Sequence, residues 1–287
     1  MTEHDRVPVR RTAKLFIGGA FPRSESGRSY EVMAHDGRPL AHAARASRKD
    51  LREAVVAARA ALPGWAGMTA SNRGQILYRV AEMMEGRRAQ FEAELADAGA
   101  SDPARGVSAA IDRWIWYAGW SDKIGQVLGG TNPVAGPYFN FTVPEPTGVV
   151  GIVAPHDQAL LGLVSRLAPA IVGGNTTVVI ASEPSPLPAV SLAEVLATSD
   201  VPGGVVNILT GRTSELTPWL ASHMDVNAID ISGVPGDLVA DTEQAAAENV
   251  KRVHRAPAGD PFDPSAQSPY EITALMEFKT VWHPIGA

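Results

Sequence analysis

Short apolar runs broken by Gly, Pro and Ser fill residues 14–47 and predict small strands joined by tight turns. The rhythm then turns helical. Leu51, Val55, Ala58 and Leu62 recur at helical spacing from about Lys49. A second helix is predicted from near Asn72, capped by Ser71 or Thr69, with Ile76, Val80 and Met83 on one face. A third spans about Arg87 to Ala98. A fourth is predicted from about Pro103 to Gln126, with Ile111, Trp114, Ile115 and Ala118 on one stripe and Trp116 and Trp120 on another. Aromatics at this spacing predict core or subunit contacts.

From residue 148 the pattern changes again. GVVGIVAP (148–155), TTVVIAS (176–182), GVVNILTG (204–211), VNAIDISG (226–233) and NVKRV (249–253) are short β-branched runs. Helical stretches at about 159–172, 185–198, 213–222 and 236–247 separate them. This alternation predicts βαβ units and an α/β, doubly wound parallel sheet covered on both faces. Such sheets bind ligands beyond the carboxyl ends of their strands. APHDQ (154–158) and ISGVPGD (231–237) lie at two such ends.

Two further segments read as extended. Tyr138, Phe139 and Phe141 lie in a run that Pro144 and Pro146 keep from being helical, which predicts a long strand in a projecting hairpin. The four prolines of residues 254–270 predict a linker. The closing MEFKTVW alternates like an exposed strand, and such a strand invites another chain to pair with it.

Charge narrows the picture. A net charge of −6 argues against a general nucleic-acid binder, and the basic VPVRRTAK reads as a short solvated arm. No apolar run reaches ~18 residues, so no membrane span is expected. The opening MTEHDRVPVRR has no leader-like apolar stretch, and the expected location is cytoplasmic. The chain has no cysteine, so it supplies no disulfide, thiolate ligand or thiol nucleophile. Its seven histidines, His4 among them, never fall at i, i+4 on a predicted helix, and no metal site is expected. His156 and Asp157 are adjacent, so in an extended segment their side chains point to opposite sides.

Several segments then appear in a telling order: KLFIGGAF, DLREAVVAARAALPGW, SNRGQILYRVAEMM, WYAGWSDKIG, EPTGVVGIVAP, LAPAIVGGNTTVVIASEPSPLPA and PGGVVNILTG. Together they resemble the NAD-binding portion of an aldehyde dehydrogenase, over about residues 14–253. The tail resembles the family's closing strand, which joins a projecting hairpin in the oligomerisation element. The resemblance implies a Rossmann-like fold from which the catalytic domain is missing. It divides the chain into N-terminal strands and helices of an NAD-binding-type domain (1–135), a hairpin segment (136–147), a Rossmann-like domain (148–253), a Pro-rich linker (254–270) and an oligomerisation strand (271–287).

The chemistry that the resemblance implies is depleted. The family works through a cysteine thiolate, which this chain lacks. The family's Pro-Trp-Asn-Phe loop, whose asparagine donates to the oxyanion, aligns with Pro155, His156, Asp157 and Gln158; an anionic Asp157 would repel that oxygen. Ala256 stands where the family's general-base glutamate would be. In the cofactor's Lys-Pro-Ser-Glu segment Ile180 replaces the lysine and Glu183 remains. In the Gly-Ser-x-x-x-Gly turn Gly233 remains, while Val234 and Leu238 replace the serine and second glycine. No bound cofactor is expected, with weak NAD(P) affinity at most.

The expectation is a non-catalytic subunit, resembling the degenerate second module of the family-sixteen aldehyde dehydrogenases. It would assemble with a complete, cysteine-bearing family member, or with itself, through Tyr138, Phe139, Phe141, Met276, Phe278, Val281 and Trp282. Nucleic acid and membrane are not expected partners. Two alternatives stand beside this: an oxidoreductase with an altered NAD-dependent mechanism, and a nucleotide or small-ligand binding module.

Overall fold

The computed structural model describes residues 9–286. The expectations placed on residues 1–8 and on His4 lie outside them. Arg11 of the expected basic arm lies in a strand, β1 (Arg11–Ala13), and pairs with Glu94 and Glu194. β1 runs parallel to β3 (Pro39–Ala44), which pairs antiparallel with β2 (Ser29–Met33).

Four helices follow. In α1 (Arg48–Ala66), Ser47 and Asp50 form a reciprocal cap that satisfies orphan amides of the first turn. Thr69, one of the two expected caps, caps α2 (Ala70–Glu85). α3 is Arg88–Asp97.

The fourth predicted helix is shorter than the pattern implied. α4 (Pro103–Ala118) ends at Gly119, and α5 (Ile124–Leu128) begins after a turn. The turn sets Ser121 against α2, where a methyl group on Gly74 would lie 2.3 Å from Ser121 Oγ. The buried stripe of α4 is also rotated: Ala110, Ile111, Trp114 and Tyr117 are inside, while Ile115 is 42% exposed.

The five-stranded sheet is wholly parallel, in the order β10-β9-β6-β7-β8. Its strands are β6 (Val149–Val153), β7 (Thr176–Ile180), β8 (Val206–Leu209), β9 (Ala228–Asp230) and β10 (Arg252–His254). Every residue of β6 and β7 is buried, as a sheet covered on both faces requires. α6 (Leu161–Val172) and α7 (Leu187–Ala197) share one apolar cluster with α2 and α4. α1, α8 (Thr213–Ala221) and Ala246 of α9 (Val239–Ala247) build the other. The order reverses between β6–β7 and β6–β9, which is where such sheets open a crevice.

The third sheet is antiparallel, in the order β11-β5-β4. β4 is Gly130–Asn132, β5 is Tyr138–Pro146 and β11 is Met276–Pro284. β5 and β11 pair along their full length, from Met276 opposite Pro146 to Pro284 opposite Tyr138.

The Pro-rich segment is not the free linker that its composition suggested. It holds a 3₁₀ turn at Pro264–Ala266 and leads into a short helix, α10 (Pro269–Thr273). It is docked because Arg113, only 2% exposed, donates to the Pro261 carbonyl at 2.8 Å and the Ala266 carbonyl at 3.3 Å. Phe262 lies under the Arg105 guanidinium at 4.2 Å from the ring centroid.

Candidate functional site

The carboxyl ends of β6, β9 and β10 face a cleft of ≈ 890 Å³. One wall is Pro155, Asp157 and Gln158; another is Ser232, Arg255 and Ala256; residues 257–268 close it from above. Asp157 is exposed and also borders a smaller cavity beside His156 and Arg105. His156 and Asp157 do not form a dyad: His156 Nε2 meets Thr213 Oγ1 at 3.2 Å instead. Ala256 donates its amide to Ser232 Oγ at 2.9 Å, so this position holds the loop and has no proton acceptor on its side chain.

Glu183 is the one charged residue at the expected cofactor positions, and its carboxylate is already engaged. It accepts from Arg212 Nη1 at 2.6 Å and from the Thr213 amide, in the first turn of α8, at 2.8 Å. Burial would raise its pKa, but these hydrogen bonds and the Arg212 charge outweigh burial and hold it below the usual value. Arg212 also lies over the Tyr30 ring, 5.2 Å from its centroid. Burial pushes the Tyr30 hydroxyl well above its ordinary range, and the Glu183 charge adds to that.

The other expected positions serve packing. Ile180 is fully buried beside Val153, Leu209 and Ile231. Val234 turns into the same apolar layer and Leu238 packs at its margin, so neither side chain is free to wall off the crevice. Gly233 is held by sterics: a methyl group there would sit 2.2 Å from the Ala154 carbonyl oxygen.

The sequence reading missed a buried ionic cluster beside the cleft. Arg166 of α6 bonds Glu271 of α10 and lies 3.8 Å from Asp230 of β9. His254 Nε2 lies 3.0 Å from Glu271 and 4.0 Å from Asp230. Burial opposes the Glu271 charge, but His254 and Arg166 together hold its pKa below the usual carboxylate value. The signal lay in isolated ionisable residues within apolar surroundings: Arg166 in LVSRLAP and Asp230 in NAIDIS. The arrangement ties the tail to the sheet. Among the described residues no group of three or more potential ligands is placed to hold a metal ion, and no helix is long and apolar enough to cross a membrane.

The expected interface residues all lie on the antiparallel sheet, and all but one are at least partly exposed. Tyr138, Phe139, Phe278, Val281 and Trp282 are exposed and Phe141 is half-buried. Met276 is 2% exposed and packs against Gly173 in the chain's own core, because β11 enters the domain at that end.

The parallel sheet, its switch-point cleft and the attached antiparallel sheet define an α/β protein with a Rossmann-like, doubly wound sheet. Residues 21–260 match the aldehyde dehydrogenase family, and the chain belongs to that family. It is 34% identical over 250 residues to aldehyde dehydrogenase, cytosolic 1, of Elephantulus edwardii, which covers 84% of this chain and 49% of that protein. It is also 34% identical to the cytosolic 10-formyltetrahydrofolate dehydrogenase of Pongo abelii, covering 85% of this chain and 28% of the relative. The NAD+ complex of aldehyde dehydrogenase from Bacillus cereus superposes with a TM-score of 0.80 at 27% identity, over 87% of this chain and 51% of that one. The HpcC structure from Thermus thermophilus gives the same TM-score at 29% identity, over 87% and 48%. The chain thus spans about half the length of the first of these relatives and of both structures.

Proposed function

We propose that this chain is a non-catalytic subunit of the aldehyde dehydrogenase fold that assembles with a complete, cysteine-bearing member of the family, in a structural or regulatory role. The carrying observation is the absence of any cysteine from its 287 residues. A thiolate route has no nucleophile here. Asp157 and Ala256 at the positions of the expected donor and base add to this reading, as does the engagement of Glu183 by Arg212. The working surface is the pair of aromatic faces on the β4–β5–β11 sheet, where Tyr138, Phe139, Phe278, Val281 and Trp282 are exposed together.

Two measurements test this reading. The chain should co-purify in fixed ratio with a full-length family member when the two are co-expressed; elution as separate species would remove the assembly role. Calorimetric titration with NAD or NADP should show no low-micromolar binding, and such affinity would remove the non-catalytic reading of the cofactor site. Aldehyde-dependent NADH formation by the isolated chain would favour an altered oxidoreductase.

The cleft of ≈ 890 Å³ supports a second reading, a small-ligand binding module. A thermal-shift screen with nucleotides separates it from the first, because a ligand of the native state raises the midpoint.

A further inference from the structure

α1 begins with an arrangement that helix electrostatics disfavour. Arg48 and Lys49 lie in its first turn, where the helix dipole is positive and acidic side chains are the stabilising choice. Arg52 follows Arg48 by four residues, so two like charges share one face of the helix. Lys49 has Glu25 at 3.7 Å, but among the described residues neither guanidinium has an acidic partner, and both are exposed.

The same side chains line a groove of ≈ 710 Å³ between the start of α1 and the end of α8. Half-buried Trp219 of α8, His223, Met224 and buried Leu51 complete much of its lining. The groove is therefore cationic along α1 and aromatic and apolar elsewhere. The α1 amides take no part in it. Ser47 Oγ accepts from the Lys49 and Asp50 amides at 3.2 and 3.3 Å, and the Asp50 carboxylate accepts from the Ser47 amide at 2.7 Å. That carboxylate is buried and turned inward to Ser24 and the Glu25 amide. A ligand here must be held by side chains.

His223 adds a directed donor. Its Nδ1 accepts from the Asp225 amide at 3.2 Å, so the neutral ring carries its hydrogen on Nε2. Burial lowers its pKa; Asp225 opposes this, while Lys251, Arg48 and Arg59 add to it. The positive field of α1 thus reaches this side of the groove.

We propose that the groove binds a phosphate monoester carried on a planar ring. Arg48 and Arg52 present two forked sets of donors one helical turn apart, which suits the several oxygens of a dianion better than a single carboxylate. Trp219 offers an apolar face to the ring. An anion at this place relieves both the like-charge pair and the unfavourable dipole contact. The chain as a whole carries a net charge of −6, so this patch runs against the overall balance. The groove shares no lining residue with the ≈ 890 Å³ cleft and none with the antiparallel sheet, so the proposal rests on neither reading above.

The probes are phenyl phosphate, inorganic phosphate and phenol, titrated into the full chain by calorimetry. Phenyl phosphate should bind at one site, about threefold to tenfold tighter than inorganic phosphate, with phenol silent. Arg48→Gln/Arg52→Gln should weaken both phosphates at least about tenfold. Trp219→Leu should abolish only the advantage of the ring. Because the two arginines oppose helix electrostatics, the double variant should melt no lower than the parent chain, which separates a binding role from a structural one. Equal affinity for the two phosphates, binding that survives the double variant, or a double variant that melts lower would each overturn the proposal.

Discussion

The Arg113 guanidinium donates to the carbonyl oxygen of Pro261 at 2.8 Å, across 148 residues of sequence. Its Nη1 also donates to Ser165 Oγ at 2.6 Å. α4, α6 and the segment over the cleft therefore meet at one side chain. Arg113→Met keeps much of the buried stem but removes these donors. The expected cost is about 1–3 kcal/mol, with faster amide exchange confined mainly to residues 257–268. Uniform exchange across the protein would mean that Arg113 does not hold this segment.

Arg166 is the buried cation nearest both Glu271 and Asp230. Arg166→Met leaves buried Asp230 without its arginine and Glu271 with His254 as its remaining partner, and should cost about 3–5 kcal/mol. The double variant Arg166→Met/Glu271→Leu should recover part of that loss. Chemical denaturation of the three proteins provides the comparison.

Glu271 also sets an acid limit. Its folded pKa lies below the ordinary value of 4.5, so the folded state favours the ionised carboxyl. That stability is present above the unfolded value and is lost as pH falls through the folded one. Stability measured from pH 6 to pH 3 should fall less steeply in Glu271→Gln than in the parent chain. Parallel curves would show that another carboxyl governs the acid limb.

Lys251 acts in the opposite pH range. It is 7% exposed, and burial lowers its pKa to about 8, only partly offset by the Glu248 charge. Between about 8 and the ordinary 10.5 the unfolded chain holds a proton that the folded chain has released. Stability contributed at this position therefore rises with pH over that window. Lys251→Met should flatten the rise in midpoint from pH 8 to pH 10, provided the variant stays folded.

Gly74 and Ser121 test the break after α4. Gly74→Ala places a methyl group 2.3 Å from Ser121 Oγ and 3.0 Å from the Ala118 carbonyl oxygen. The expected penalty is about 1–3 kcal/mol. Adding Ser121→Gly should relieve the first contact and restore part of the loss, which a double-mutant cycle measures directly.

The parallel sheet was legible because β6 and β7 are buried on both faces and their sequences, β-branched apart from Gly151, show no polar–apolar alternation. The β5 and β11 strands were legible from alternation and proline placement. Periodicity misplaced the end of α4 because the break depends on contact between Ser121 and Gly74, which no local pattern records. Composition misread residues 254–270 for a similar reason: prolines exclude regular structure but do not prevent docking onto a distant arginine. At the site, the alignment of Asp157, Ile180, Glu183, Val234 and Ala256 named the altered positions. It could not tell that Glu183 already holds Arg212, or that Val234 turns into the core.

The β5–β11 pairing also has a timing consequence. β5 ends at Pro146, and the strand that completes it begins at Met276. At ribosomal rates of ~5–20 residues per second, β5 waits on the order of ten seconds for its neighbour. During that interval Phe139 and Phe141 stand on a strand whose long partner has yet to be made. The newborn chain is therefore open to aggregation at β5 until Met276–Pro284 has emerged, and a chaperone acting at Tyr138–Pro146 would protect it during synthesis.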